Sequence, residues 1–306
     1  MTKQTVITGI APLYLKPEEG AELTDEALLG MTVEITGEKV GRFFPVRTHY
    51  RYEGFMPDEC LTSNGECGFF ASKPKWIVWA PYLDIQTAPK VQASIIIGCP
   101  RGSVLADLGD ENKDETPEGW KYVGLPCGNK GYTRAVSLKP HPGVKKIFGE
   151  SFAGSDIGVF HRTDIDGSRH PALFGKDHEM GLRRSLVSTA MLYMRTQYRW
   201  GGKTPLGIDC SGLTAMAYML NGIIIYRDAE IRLGFAIKEV NFNKMDIGDL
   251  IFWKGHVAMY IGNGEYVHST GHGKSAGVVI NSLEPDSSIY REDLAKSITH
   301  IGSVFI

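Results

Sequence analysis

The sequence predicts an α+β catalytic domain preceded by two small all-β domains. Three observations carry that reading. Short β-like runs at 33–35, 43–46, 76–79 and 95–97 alternate with Gly, Pro and Asp turns through the first 140 residues, the spacing of small barrels. Two weakly similar blocks lie in the same stretch. In the first, Ala11-Pro-Leu-Tyr-Leu-Lys-Pro leads to Gly54-Phe-Met-Pro-Asp-Glu-Cys-Leu61. In the second, Ile85-Gln-Thr-Ala-Pro leads to Gly119-Trp-Lys-Tyr-Val and Gly131-Tyr-Thr-Arg-Ala-Val-Ser-Leu138. From residue 181 onward the pattern changes to helical periodicity followed by strands. At 306 residues the chain is long enough for more than one domain.

The boundaries expected from these shifts are 1–70 and 71–140 for the β domains and 181–306 for the catalytic domain. The Gly-, His- and Pro-rich stretch 141–180 reads as a linker. Leu182, Leu186, Ala190, Met191 and Met194 form one apolar stripe at the start of the third domain, a core face rather than a binding site. A second helix follows, with Leu213, Met216, Ala217 and Leu220 at helical spacing and Asn221-Gly222 as its stop. Leu250–Trp253 reads as a buried strand. Segments 257–261 and 265–268 read as two strands joined by Gly262-Asn263-Gly264, a strong hairpin signal.

The chemistry concentrates around Cys210. It stands in Tyr198-Arg-Trp-Gly-Gly-Lys-Thr-Pro-Leu-Gly-Ile-Asp-Cys-Ser-Gly212, after a glycine-rich loop and at the first turn of the second helix. Free backbone N–H groups and the positive end of the helix dipole favour a thiolate there, and a thiolate is the nucleophile. Polar neighbours on both sides speak against burial in apolar surroundings. A nucleophilic cysteine needs a base, and the base needs an orienting group. His256 and His268 flank the hairpin turn. Their even separation puts both side chains on one face unless a bulge intervenes. One ring can take the proton of Cys210 and the other can hold the first in a useful tautomer.

Tyr-x-Trp-Gly-Gly, Asp-Cys-Ser-Gly, Gly-Asp-Leu-Ile-Phe and His-Val-x-x-Tyr-Ile-Gly-Asn-Gly, in this order, resemble the motifs of the NlpC-type cysteine peptidases that cut cell-wall peptides. The resemblance covers about 181–306 and implies a reduced papain-like fold. By it, Cys210 is the nucleophile, His256 the general base and His268 the third polar residue. Tyr198 stands where its hydroxyl helps hold the oxyanion, and Asp209 and Ser211 stand at positions lining the substrate site. Arg227-Asp228-Ala229 is similar to a family loop often written Arg-Asp-Ser. This makes Asp228 a substrate-site candidate, with Ala229 lacking the usual hydroxyl.

The N-terminal blocks resemble a pair of bacterial SH3-like domains. Two such domains before an NlpC-type domain look like the γ-D-glutamyl-L-diamino acid endopeptidases of the family. This implies hydrolysis of free murein tripeptides or tetrapeptides that begin with a free L-Ala amine. Tyr52, in Arg51-Tyr-Glu-Gly-Phe, falls in the loop where such an enzyme places a wall tyrosine. Asp209 then supplies a carboxylate for the substrate ammonium. The same motif order also serves amidases, lytic hydrolases and acyltransferases. A cell-wall-binding protein with an inactive catalytic domain is the alternative from another class.

Composition excludes several roles. Lys plus Arg number 33 against 35 Asp plus Glu, a net charge of −2 with no basic run, so nucleic acid has no electrostatic claim on this chain. No segment reaches the apolar length of a membrane span. The residues from Met1 lack the apolar core and cleavage site of an export signal, so a cytoplasmic location is expected. Five cysteines at irregular spacing give neither a disulfide framework nor a zinc pattern, although Cys60 and Cys67 could close a small loop. The chemistry expected at Cys210 needs no metal and no cofactor.

Overall fold

The computed structural model describes residues 2–62, 68–142, 176–272 and 276–305. It divides into two compact units, one ending at His141 and the other containing the helices and the C-terminal sheet. Most of the expected linker lies outside the described residues. The first helix of the second unit, Lys176–Met191, starts inside the stretch expected to be linker, because its apolar stripe is preceded by a further polar turn.

The N-terminal unit is built of antiparallel strands in two sheets. The first runs Thr2–Thr5, Thr32–Ile35, Phe43–Thr48, Glu53–Pro57, Ile10–Tyr14, Leu23–Leu28 from edge to edge. The second runs Lys75–Val78, Val104–Asp107, Trp120–Gly124, Lys130–Arg134, Tyr82–Gln86, Ile95–Pro100, with Leu138–Pro140 added beside Lys75–Val78. Strand for strand the order is the same. The sequence blocks fall at equivalent places: Gly54 and Gly131 each lie in the fourth strand of their sheet, and each of those strands runs into a 3-10 turn, Asp58–Cys60 or Ala135–Ser137. The two sheets share a core in which Leu29 sits with Val78, Ile85, Leu105 and Val123. Cys60 is a free, buried thiol, so it closes no loop; Cys67 lies outside the described residues.

In the second unit the elements are α1 (Lys176–Met191), α2 (Cys210–Met219), β1 (Lys238–Val240), β2 (Leu250–Trp253), β3 (His256–Gly262), β4 (Glu265–Thr270), β5 (Gly277–Ser282), α3 (Glu292–Ala295) and β6 (His300–Ser303). The strands form one antiparallel sheet in the order β1-β6-β2-β3-β4-β5. Every residue of α2 from Cys210 to Tyr218 is buried, as expected of a helix apolar on nearly all sides. It packs against α1 and the β3–β4 hairpin. The Tyr218 hydroxyl donates to the Gly248 carbonyl at 2.6 Å, pinning the helix to the turn before β2. Arg183 of α1 reaches the same turn through Asp249 at 2.9 Å and the Ile247 carbonyl at 2.9 Å. Both helices are thus tied to the turn before β2.

Candidate active site

Cys210 begins α2 directly after Asp209, the N-cap, whose side chain accepts from the Gly212 N–H at 2.6 Å. Gly212 has to be glycine here, because a Cβ would stand 2.2 Å from the Gly202 carbonyl oxygen. The glycine-rich loop therefore lies directly on the first turn of the helix. Arg227 locks this corner. Its guanidinium is buried and pairs with both oxygens of Asp209 at 3.0 Å, with the Ser211 hydroxyl at 2.8 Å and with the Gly202 carbonyl at 3.3 Å. The two residues flanking the cysteine are held by one cation. In the sequence Arg227 is visible only as part of a loop motif, and a buried arginine carries no signal of its depth there.

These contacts correct two expectations. Asp209 is expected to supply its carboxylate to a substrate ammonium, but Arg227 and the helix cap already engage both of its oxygens. Cys210 is buried, 7% exposed, although its polar neighbours speak against burial. The N–H groups of Val257 and Ser211 lie against the thiol and favour its ionisation, as the helix-start argument required. Burial outweighs them and pushes the thiol up to about 11. The contact with Val257 sets the thiol at the start of β3, beside the position of His256.

The histidines meet as expected, with Nε2 of His256 2.7 Å from Nδ1 of His268. The reason differs from the parity argument. Asn263 and Gly264 form the two-residue turn with positive φ at both positions, and Gly262 pairs with Glu265. A regular ladder from that turn would put His256 and His268 on opposite faces. The register shifts between Tyr260 and Gly262, so Ile261 is an extra residue and Met259 pairs with Val267. This shift puts Ala258 opposite His268 and brings His256, two residues further, onto the same face. The bulge makes the pair rather than breaking it.

Nε2 of His268 in turn lies 2.9 Å from Oδ1 of Asn281 on β5. His256, His268 and Asn281 form a row across three neighbouring strands. Nothing local in the sequence marks Asn281, because its place depends on the register of a third strand. Both imidazoles are held neutral by burial, His256 down to about 3 and His268 to about 4. Trp253 and Tyr266 close over the row, with ring centroids 5.5 Å from His256 and 5.2 Å from His268.

Tyr198 is brought to the site as well. Its ring packs on Gly271, and its hydroxyl is pushed up to about 12 by burial, then by the neighbouring Cys210 and Asp209. Asp228 is half-buried and lines a small cavity with Thr214, Tyr226, Arg232 and Val257, one helical turn beyond the nucleophile. Tyr52 belongs to the N-terminal unit, where its N–H and carbonyl close the turn against Thr48 at 3.0 and 2.9 Å. Among the described residues, no cluster of His, Cys, Asp and Glu is arranged to hold a metal ion.

The family model for NlpC/P60 matches residues 195–295, the segment that carries Tyr198, Cys210, His256 and His268. A dipeptidyl-peptidase 6 from Lysinibacillus sphaericus is 40% identical over 98% of this chain and 98% of its own length. The chain belongs to the NlpC/P60 family. A gamma-D-glutamyl-L-lysine dipeptidyl-peptidase from Bacillus cereus is 28% identical over 84% of this chain and 70% of its own. The crystal structure of an NlpC/P60 family protein from Bacillus cereus superposes with a TM-score of 0.72 at 21% identity, covering 98% of both chains, which shows a common fold. The protein is therefore a cysteine peptidase with the reduced papain-like fold of that family. No helix among the described residues is long and apolar enough to cross a membrane.

Proposed function

We propose that this NlpC/P60 peptidase hydrolyses the bond between γ-D-Glu and the diamino acid of free murein peptides that begin with L-Ala. The observation that supports it most is a buried cysteine at a helix start, its thiol against the N–H of Val257 next to His256 of the neutral histidine pair, in a chain related along nearly its whole length to a dipeptidyl-peptidase. Cys210 attacks the γ-carbonyl while His256 takes the thiol proton. His268 orients His256. The Cys210 N–H and the Tyr198 hydroxyl stabilise the oxyanion. His256 then protonates the departing amine and activates water against the thioester. Ser211, Asp228 and Tyr52 are carried as substrate contacts, and Asp209 as the residue that shapes the substrate side of the helix start. The two N-terminal sheets are carried as SH3-like domains at 1–70 and 71–140, with 141–180 as the linker and 181–306 as the peptidase domain. A cytoplasmic location and a role in recycling complete the proposal.

The test compares L-Ala-γ-D-Glu-L-Lys with its N-acetyl form by mass spectrometry of the products. Blocking the amine removes the charge-assisted hydrogen bond proposed with Asp228 and slows the peptide on the order of ten- to a hundredfold. Equal rates would make a lytic enzyme, open on that side, the better reading. Cys210→Ala should abolish both reactions.

A further inference from the structure

We infer that Asn281 is a positioning residue that fixes which nitrogen of His256 is the base. The inference deepens the assignment of Cys210, His256 and His268 as the catalytic set and rests on it. The Asn281 side chain makes two contacts, Nδ2 to the Ile289 carbonyl and Oδ1 to Nε2 of His268, each at 2.9 Å. A backbone carbonyl only accepts, so the nitrogen of the amide must face Ile289. Its oxygen must then face His268. Flipping the amide would set oxygen against oxygen at Ile289, two acceptors with no hydrogen between them.

The rest follows from one proton per neutral ring. Oδ1 only accepts, so Nε2 of His268 carries the hydrogen and donates it. Nδ1 of the same ring is bare and accepts. Nε2 of His256, 2.7 Å away, must be the donor of that bond. Nδ1 of His256 is left with the lone pair. The orientation of one amide, set by a backbone carbonyl two strands away from β3, thus reaches the base through two rings. Burial keeps both rings neutral around pH 7, so the chain of donors and acceptors has a single direction.

The placement explains why this device needs three strands. Val279 pairs with His268, and Asn281, two residues along β5, comes back to the same face. Ile289 follows in the segment that returns against β5, where the Ser282 N–H donates to the Ile289 carbonyl at 3.0 Å. The Ile289 carbonyl is therefore fixed by the backbone and bonded twice.

The experiment reads the ring nitrogens directly. Full-length protein labelled with 15N-histidine is examined at pH 7 by long-range proton–nitrogen correlation, with the two rings identified by their loss in His256→Gln and His268→Gln. The expected result is a protonated Nε2 on both rings. A bare Nε2 on either ring overturns the inference, whatever the substrate proves to be. In Asn281→Leu, which removes the acceptor, the His268 tautomers should mix and kcat should fall about tenfold with KM little changed. Asn281→Asp keeps an acceptor for His268. It should retain both Nε2 protons, lose less rate than Asn281→Leu, and move the acid limb of kcat/KM to higher pH as the carboxylate favours a charged ring. Unchanged ring signals in Asn281→Leu would also overturn the inference. If the leucine variant does not fold, the wild-type spectrum still decides. A wrong substrate assignment would leave every one of these spectra as they are.

Discussion

At the scale of single residues, the site shows how much a buried setting changes a nucleophile. The helix start gives Cys210 amide dipoles, yet burial leaves the thiol protonated in the free enzyme and His256 neutral. The pair is thus ready to exchange a proton at the moment of attack rather than poised as an ion pair. Alkylation of Cys210 by iodoacetamide should therefore rise with pH through the range above 8. A rate already at its plateau near pH 6 would show an ion pair instead. Arg227 is the other decisive residue. Removing it takes the cation from the buried Asp209 carboxylate, which keeps only the Ser211 hydroxyl and the Gly212 N–H, so Arg227→Ala should cost about 3–5 kcal/mol of stability in denaturant unfolding. Arg227→Lys should recover little of this, since an ammonium cannot bond both Asp209 oxygens in one plane with Gly202 and Ser211. The sequence named Cys210, His256 and His268 because their motifs are local. Arg227 as a clamp and Asn281 as a partner depend on burial and on register, which no single motif contains.

At the scale of elements, the hairpin carries the clearest lesson. The Gly262-Asn263-Gly264 signal predicts two strands, and β3 and β4 are there. The relation between their faces depends on one extra residue, and nothing in the pattern of apolar and polar residues reveals a bulge at Ile261. The helix start was easier to read, because a cap, a stop and an apolar stripe agree with one another. The bulge makes an unusual prediction. Ile261 is the residue left over between two pairings that are otherwise in step, so deleting it should leave Met259 opposite Val267 and the histidines on one face. Peptidase activity should survive the deletion to within about tenfold, as the ladder closes without a change of register. Deleting Met259 instead removes a paired residue, reverses the face of His256 and should abolish activity. A folded Ile261 deletion without activity would mean that the strands pair in another register.

At the scale of the whole molecule, the resemblance between the two N-terminal sequence blocks survives as identical strand order in two sheets. The catalytic unit answers to a different physical constraint, a polar row inside a buried sheet face. Its histidines have folded pKa values below the ordinary 6.5, mainly because burial disfavours the charged rings. The unfolded chain takes up protons first as pH falls, so stability is complete above about pH 6.5 and declines toward pH 4 and then 3. Because the rings touch, they release or accept protons as a pair rather than singly. The expected slope is about 1–3 kcal/mol per pH unit between pH 6 and 4, the range from one to two protons. His141 lies in the other unit and is held down to about 4, so the measurement has to separate the units. Hydrogen exchange of peptides covering β2 to β4, followed at pH 7, 6 and 5 after correction for intrinsic rates, does this. The wild type should lose protection steadily as pH falls. A double variant, His256→Gln with His268→Gln, should show a much flatter dependence even though it is less stable at pH 7. If both proteins lose protection in parallel, the acid sensitivity of the catalytic unit comes from other groups, and burial is not what keeps the histidine pair neutral.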